Sequence, residues 1–490
     1  MKTKIFFFMV IGVFVGVGAF PNAVTDSQVK DAIEQIVSAE AKYDLFSGAI
    51  LIAEKGKIIY SGAFGLENKA NNIPNKLTTK FSLGSIGKTF TGVLIMQLVE
   101  RGQLKLSDTL EKYFPDFPYP EKSKILISHL LTHSSGLGNY FTHREYKSKM
   151  QTLRHIKDVL PLVYDQKLLF QPGEKYQYSN SGMIILGAIL EKVSGMSYRE
   201  YLKKQILIPA GMNDSGIFYP EEPVPDRAIG YSKIDENKYK VETEREFPAF
   251  SDGGLYSTVL DMLKYDRALY ENKLLSQNAK ETMFSMTGPS KNYALGWETG
   301  DFMGETFVGH VGGCPGFASD FIRFPEKQRM IIVLSNYTET GLELAAKIKH
   351  MVFTGGKSNI PLATRYDYNF RKGRDLGEFR KQYKKAVKYL DKNIQGDDLH
   401  LPSLYSAARA RIFGKFEEKK ALELLDRYLR IGKGRSNRTK AAVWWLKGQA
   451  YEQLGNREKA IESYETSLQL DPDFKRSEES HKKLKSKKRH

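Results

Sequence analysis

Strand-like sequence bounds a region of the chain at both ends, and this constrains the fold more than any other feature. Ser47-Gly-Ala-Ile-Leu-Ile-Ala53 and Lys57-Ile-Ile-Tyr60 read as two strands turned at Lys55-Gly56. Far along the chain, Gly316–Phe324 and Met330–Asn336 read as a second pair around Pro325-Glu-Lys-Gln328. Helices are expected just outside these pairs, at Asp26–Tyr43 and Gly341–Phe353, and the stretch between the pairs is rich in helical periodicity. Strands at the ends with helices between them predict an α+β domain over residues 24–355. Its terminal segments share one antiparallel sheet with flanking helices.

Within the helical middle, Phe81-Ser-Leu-Gly-Ser-Ile-Gly-Lys-Thr-Phe90 sets Ser85 and Lys88 three residues apart at the start of an expected amphipathic helix. Phe90, Val93, Leu94, Leu98 and Val99 form its apolar stripe, which ends at Arg101-Gly102. Residues one turn apart share a face, so the ammonium can lie beside the hydroxyl. The free N–H groups of a helix start favour developing negative charge. That is the setting of an activated serine. The pattern is short, and Ser480-His-Lys-Lys483 also reads Ser-x-x-Lys.

Two further polar clusters fall in the same region. Tyr178-Ser-Asn180 precedes a helix expected at Met183–Val193. A phenol beside a cation ionises more readily than its ordinary pKa of about 10 allows, and an amide can bond both a lysine and a carbonyl. His310-Val-Gly-Gly313 follows a strand expected at Thr306–Val308, and its glycines let the backbone approach a ligand and offer an N–H. Each has a plainer reading: a tyrosine before a helix packs, and a lone histidine is a satisfied polar residue. Cys314, the only cysteine, reads as a small packing residue.

The chain begins Met1-Lys-Thr-Lys4 and runs without charge from Ile5 to Phe20. Residues 1–20 therefore read as a secretory signal peptide, with an uncleaved membrane anchor as the alternative. A secreted or periplasmic protein is expected, folding without an internal disulfide. The net charge of +17 is concentrated late: residues 364–490 hold 32 Lys and Arg against 18 Asp and Glu. Such a surface can meet anionic lipid, cell-wall polymer or nucleic acid, or simply be well solvated. Export makes nucleic acid a poor partner, and membrane contact is expected only if the leader is retained. His129 and His133 are four apart, but no second pair or carboxylate lies in register, so neither metal nor cofactor is expected.

Taken in order, Ser85-x-x-Lys88, Tyr178-x-Asn180 and His310-x-Gly312 resemble the serine hydrolases of the class C β-lactamase and penicillin-binding-protein family. The flanking stretches strengthen the resemblance: His129-Leu-Leu-Thr-His-Ser-Ser-Gly136, Gln171-Pro-Gly-Glu174, Asp252-Gly-Gly-Leu-Tyr-Ser-Thr258 and Gly309–Phe317. The resemblance implies a β-lactamase-like fold with an all-helical lobe. It implies Ser85 as acylated nucleophile, Lys88 as the group easing its deprotonation, and Tyr178 as general base. Asn180 would orient substrate, His310 and Gly312 would border it, and the N–H groups of Ser85 and Gly313 would form an oxyanion hole. β-Lactamases of this family carry lysine where His310 stands, and a mostly neutral histidine is a weak partner for a carboxylate. This favours an ester or a D-amino-acid amide or peptide over a β-lactam. A true β-lactamase or D,D-carboxypeptidase, and an idle scaffold, remain open.

After a linker at 356–376, residues 377–474 read as helical repeats. Trp444, Gly448, Tyr451, Ala460, Tyr464 and Pro472 fall at the spacings of a tetratricopeptide repeat. A degenerate copy is expected on helices Pro402–Phe413 and Glu417–Ile431, supported by a helix near Phe379–Leu390, and a protein partner is its expected ligand. Residues 475–490 read as a basic tail, disordered over Lys482–Arg489.

Overall fold

The computed structural model describes residues 26–235, 238–242, 250–338, 341–356, 362–363, 367–396, 400–432 and 436–486. The leader at 1–20 and the linker residues 357–361 lie outside them. The chain forms two compact units, Met1–Leu362 and Ala363–His490.

The first unit is built on a six-stranded sheet: β1 (Gly48–Glu54), β2 (Lys57–Phe64), β3 (Glu298–Phe302), β4 (Glu305–Cys314), β5 (Phe317–Phe324) and β6 (Arg329–Ser335). Its order is β3-β4-β5-β6-β1-β2. β1 pairs antiparallel with β6, Gly48 opposite Ser335, so the two ends of the domain do share one sheet. β1 is an interior strand buried on both faces, which is why its apolar run is continuous. Ile50 and Ile52 pack with Ile33, Ile36 and Ile348 of the outer helices Asp26–Lys42 and Gly341–Thr354. Ala49 and Leu51 face the larger core of the helical lobe, as the alternation of a strand requires.

Ser85 sits on a single 3-10 turn, Gly84–Ile86, and the α-helix proper starts at Gly87 and runs to Glu100. This helix is not amphipathic as the stripe suggested. Every residue from Gly87 to Leu98 is buried, because helical segments of the lobe and the sheet enclose it on all sides. Its threonines are satisfied by main-chain carbonyls: Thr89 donates to that of Ile86 at 2.8 Å and Thr91 to that of Ser251 at 2.6 Å. Nor does His310 end a strand. It lies inside β4, opposite Phe321, since the ladder continues through the glycines to Cys314.

The second unit is all-helical. Residues Asp367–Arg374 and the π-turn Asp375–Phe379 form structure where a linker was expected, so the module begins before residue 377. Helices follow at Tyr383–Gly396, Leu401–Gly414, Glu418–Ile431, Asn437–Gln453 and Arg457–Leu470. A last helix, Lys475–Ser486, replaces the expected disorder over the part of Lys482–Arg489 that is described. Its Ser477 and Leu484 are buried: Ser477 donates to Ser467 Oγ at 2.7 Å, and Leu484 joins Ala460 and Tyr464. Ser467, a departure from the repeat pattern, is accommodated by donating to the Ala441 carbonyl at 2.8 Å.

Candidate active site

Three chain segments meet at Ser85. Gly84 adopts φ +52°, and a side chain there would run into the Gly313 backbone, its Cβ 2.8 Å from the Gly313 nitrogen. A Cβ on Gly312 would lie 2.0 Å from the Leu83 carbonyl oxygen. The glycines of β4 therefore let the strand pass directly against the turn that carries the serine, while the space beside Gly313 itself is open. This brings the Gly313 backbone beside the Ser85 turn.

Lys88 Nζ donates to Ser85 Oγ at 3.0 Å and also to the Asp252 main-chain carbonyl. The lysine is fully buried, and burial lowers its pKa to about 8 against the opposing pull of Asp252 and Glu298. The Asp252 carboxylate does not touch it; Oδ2 accepts from Tyr140 at 3.0 Å. Tyr178 bonds to Ser85, and its ring centroid lies 4.9 Å from Lys88 Nζ. Its phenol is not eased toward ionisation as a cation alone would suggest. Burial pushes it well above its ordinary value, and the Ser85 bond only offsets this in part. The resting site thus holds a neutral tyrosine beside a lysine that loses its proton readily.

Asn180 is the first residue of the helix Asn180–Ser194, which Ser179 caps by accepting from Gly182 N–H. Its amide donates to Asn139 Oδ1 at 3.3 Å rather than contacting Lys88. His310 is buried with both ring nitrogens engaged. Nδ1 donates to the Val311 carbonyl at 2.6 Å, which leaves Nε2 to accept from Tyr293 O–H at 2.9 Å. Burial first and Lys88 second lower its pKa to about 3, so it is neutral, as expected from its type. It is only 2% exposed. Glu298, 3.7 Å from His310 Nδ1, keeps about 34% of its side-chain surface. Its low-dielectric surroundings and Asp320 nevertheless raise its carboxyl to about 8.

The structure brings together Ser85, Lys88, Tyr178, Gly312 and Gly313 directly, and His310 and Asn180 one layer behind. Sequence reasoning gave no role to Asp252, Tyr140, His133, Tyr293 or Glu298. Asp252 and His133 stood in quoted stretches; the other three carry no local signal, since their contacts span distant parts of the chain. Among the described residues no cluster of His, Cys, Asp and Glu could hold a metal.

The family model for beta-lactamase matches residues 29–353, and the chain belongs to this family of serine hydrolases. A tetratricopeptide repeat matches residues 441–474. Penicillin-binding protein 4* of Bacillus subtilis (strain 168) is 32% identical over 339 residues, 64% of this chain and 74% of the relative. The solved penicillin binding protein from Bacillus halodurans is 29% identical with a TM-score of 0.59, covering 64% of this chain and 98% of that one. The D-amino acid amidase from Ochrobactrum anthropi SV3, at 20% identity, has a TM-score of 0.58 over 68% of this chain and all (100%) of its own, which shows a common fold.

Proposed function

We propose that the chain is an exported serine hydrolase that forms an acyl-enzyme on Ser85 and hydrolyses an ester or a D-amino-acid amide or peptide. One observation carries this reading: a fully buried Lys88, with no carboxylate in contact among the described residues, held 3.0 Å from Ser85 Oγ. With its pKa near 8, Lys88 is partly neutral at physiological pH and can take the Ser85 proton as Oγ attacks the carbonyl carbon. Lys88 and Tyr178 act as a coupled pair, and Tyr178, bonded to the same hydroxyl, passes the proton to the leaving group. The new Oγ–C bond forms, the leaving-group bond breaks, and the carbonyl oxygen carries negative charge meanwhile. The N–H groups of Ser85 and Gly313 receive that charge, each worth ~2.7–4 kcal/mol of barrier. Water then repeats the sequence on the acyl-enzyme and frees the acid. Asn180 orients the substrate.

A neutral His310 supplies no cation for a substrate carboxylate, which supports esters and amides over β-lactams. The amidase sharing this fold is in keeping with amide chemistry. Export rests on the leader at 1–20; N-terminal sequencing of secreted protein tests it, a start beyond Phe20 supporting cleavage and Met1 opposing it. The repeats read as a docking module for a protein partner. A p-nitrophenyl ester, nitrocefin and a D-alanyl dipeptide, each assayed on wild type and Ser85→Ala, test the activity. Nitrocefin turnover far above ester turnover would favour the β-lactamase reading. No Ser85-dependent turnover and no labelling by a fluorophosphonate or penicillin probe would leave a scaffold.

A further inference from the structure

His133 has no part in the chemistry above, yet it contacts Tyr178 and both of its chain neighbours. Its main-chain carbonyl accepts the N–H of Gln177 at 2.8 Å. Its ring Nδ1 accepts the N–H of Ser179 at 3.2 Å. These are the backbone N–H groups of the two residues on either side of Tyr178. Its ring also lies against the phenol, centroids 4.4 Å apart and planes tilted by 44°. The Ser179 hydroxyl completes the grip by donating to the Gly138 carbonyl at 2.7 Å, so the tyrosine is fixed on both sides by the segment following His133.

Two features of His133 oppose stability. Its backbone takes φ +53°, a left-handed conformation uncommon for a residue with a side chain. Because Nδ1 accepts, the ring proton resides on Nε2, and that nitrogen is buried without a partner among the described groups. The residue is only 1% exposed, so water does not screen this unpaired donor. Local strain and an unmet donor at one position beside a reactive tyrosine are the pattern of a residue kept for function.

We propose that His133 is the positioning residue of Tyr178, gripping the N–H groups of the residues on either side and setting the tilt of the phenol toward Ser85 and Lys88. The inference rests on the Ser85 acylation reading, and the two can fail separately. Burial and Lys88 keep His133 neutral, which its role as acceptor requires.

The test compares H133N and H133L with wild type and Ser85→Ala, reading fluorophosphonate acylation rate, kcat and KM for a p-nitrophenyl ester, and melting midpoint. Asparagine tolerates left-handed backbone and its Oδ1 replaces the Nδ1 acceptor, so H133N is expected to fold at least as stably as wild type. It lacks the ring, and its acylation rate and kcat should fall by about tenfold with KM unchanged; H133L, lacking the acceptor too, should fall by ~10²-fold, the scale of a small misplacement of a reacting group. Activity and stability then move in opposite directions in H133N, which a merely structural role does not produce. Wild-type acylation rates in folded H133N, or KM rising with kcat unchanged, would overturn the inference while leaving the Ser85 reading intact. Equal labelling of wild type and Ser85→Ala would remove both.

Discussion

Ser85-x-x-Lys88 of the first unit and Ser480-x-x-Lys483 of the second share their spacing and differ in almost everything else. Ser480 and Lys483 share the helix Lys475–Ser486. There Ser480 Oγ accepts from Trp445 Nε1 at 3.2 Å, and Lys483 is exposed. Ser85 and Lys88 lie where a turn enters a fully enclosed helix, and Lys88 is dry. An exposed ammonium stays protonated and hydrated; a buried one without a carboxylate in contact is pressed to give up its proton. A second contrast makes the same point. Arg411 of the helical unit is as buried as Lys88, but it bonds Asp391 at 2.6 Å and Glu417 at 2.9 Å. A buried cation with paired carboxylates holds structure, and one facing only a hydroxyl and a carbonyl is available for chemistry.

The largest effect should come from removing the dry cation. Lys88→Met is expected to lower acylation by ~10³-fold or more, in line with losing a member of a catalytic unit. It should leave the melting midpoint unchanged or raised, because a buried charge disappears. The midpoint difference should itself depend on pH. The folded pKa of about 8 lies below the ordinary 10.5, so this group's contribution is full above 10.5 and is lost as pH falls through about 8. Melting curves of both proteins across pH 6–11 check this: the wild type should fall behind Lys88→Met on the acid side, and parallel curves would contradict a dry lysine. For the same reason kcat/KM should climb with pH to a plateau above about 8, until any further group titrates.

On the other side of the comparison, Arg411→Met should leave hydrolysis untouched and destabilise the helical unit. Its partners are 37% and 58% exposed and can rehydrate, so the loss should be about 1–2 kcal/mol, read as a lower midpoint of the helical transition. Steric effects separate two glycines of the repeat. A Cβ on Gly448 would lie 2.3 Å from the Tyr464 ring, and Gly448→Ala should cost about 1–3 kcal/mol. Gly455 has open space around it and φ +74°, so Gly455→Ala should cost only the backbone term of about 1 kcal/mol. Denaturant melts of the two variants rank them.

What could be read in advance follows the same division. The repeat was legible because its signature residues meet locally: Gly448, Ala460 and Tyr464 pack within one helix pair. The shared sheet was legible from the continuous apolar run of β1 and the matching run of β6. The proximity of Ser85 and Lys88 was legible because one helical turn joins them. The burial that lowers the Lys88 pKa was not, since Asp252 arrives from 164 residues away and Glu298 from further still. The place of Tyr178 beside a cation was foreseen but its resting proton was misjudged, because spacing reveals a nearby cation and not the dryness around it. The role of His310 was likewise hidden, its neutrality foreseeable from its type and its engagement by Tyr293 not. The helices at Asp367–Arg374 and Lys475–Ser486 were masked by their charge density, which resembles that of linkers and tails, while single buried residues such as Tyr368 and Leu484 anchor them.

The central claim is that the enclosure of Lys88, and not the Ser-x-x-Lys pattern, makes Ser85 reactive. Peptide mapping of the full chain after fluorophosphonate labelling tests it most directly, run in parallel on wild type and Lys88→Met. One adduct on the Ser85 peptide of wild type is predicted, with none on Ser480 and almost none in Lys88→Met. Label on Ser480, or label on Ser85 at the wild-type rate without Lys88, would contradict it.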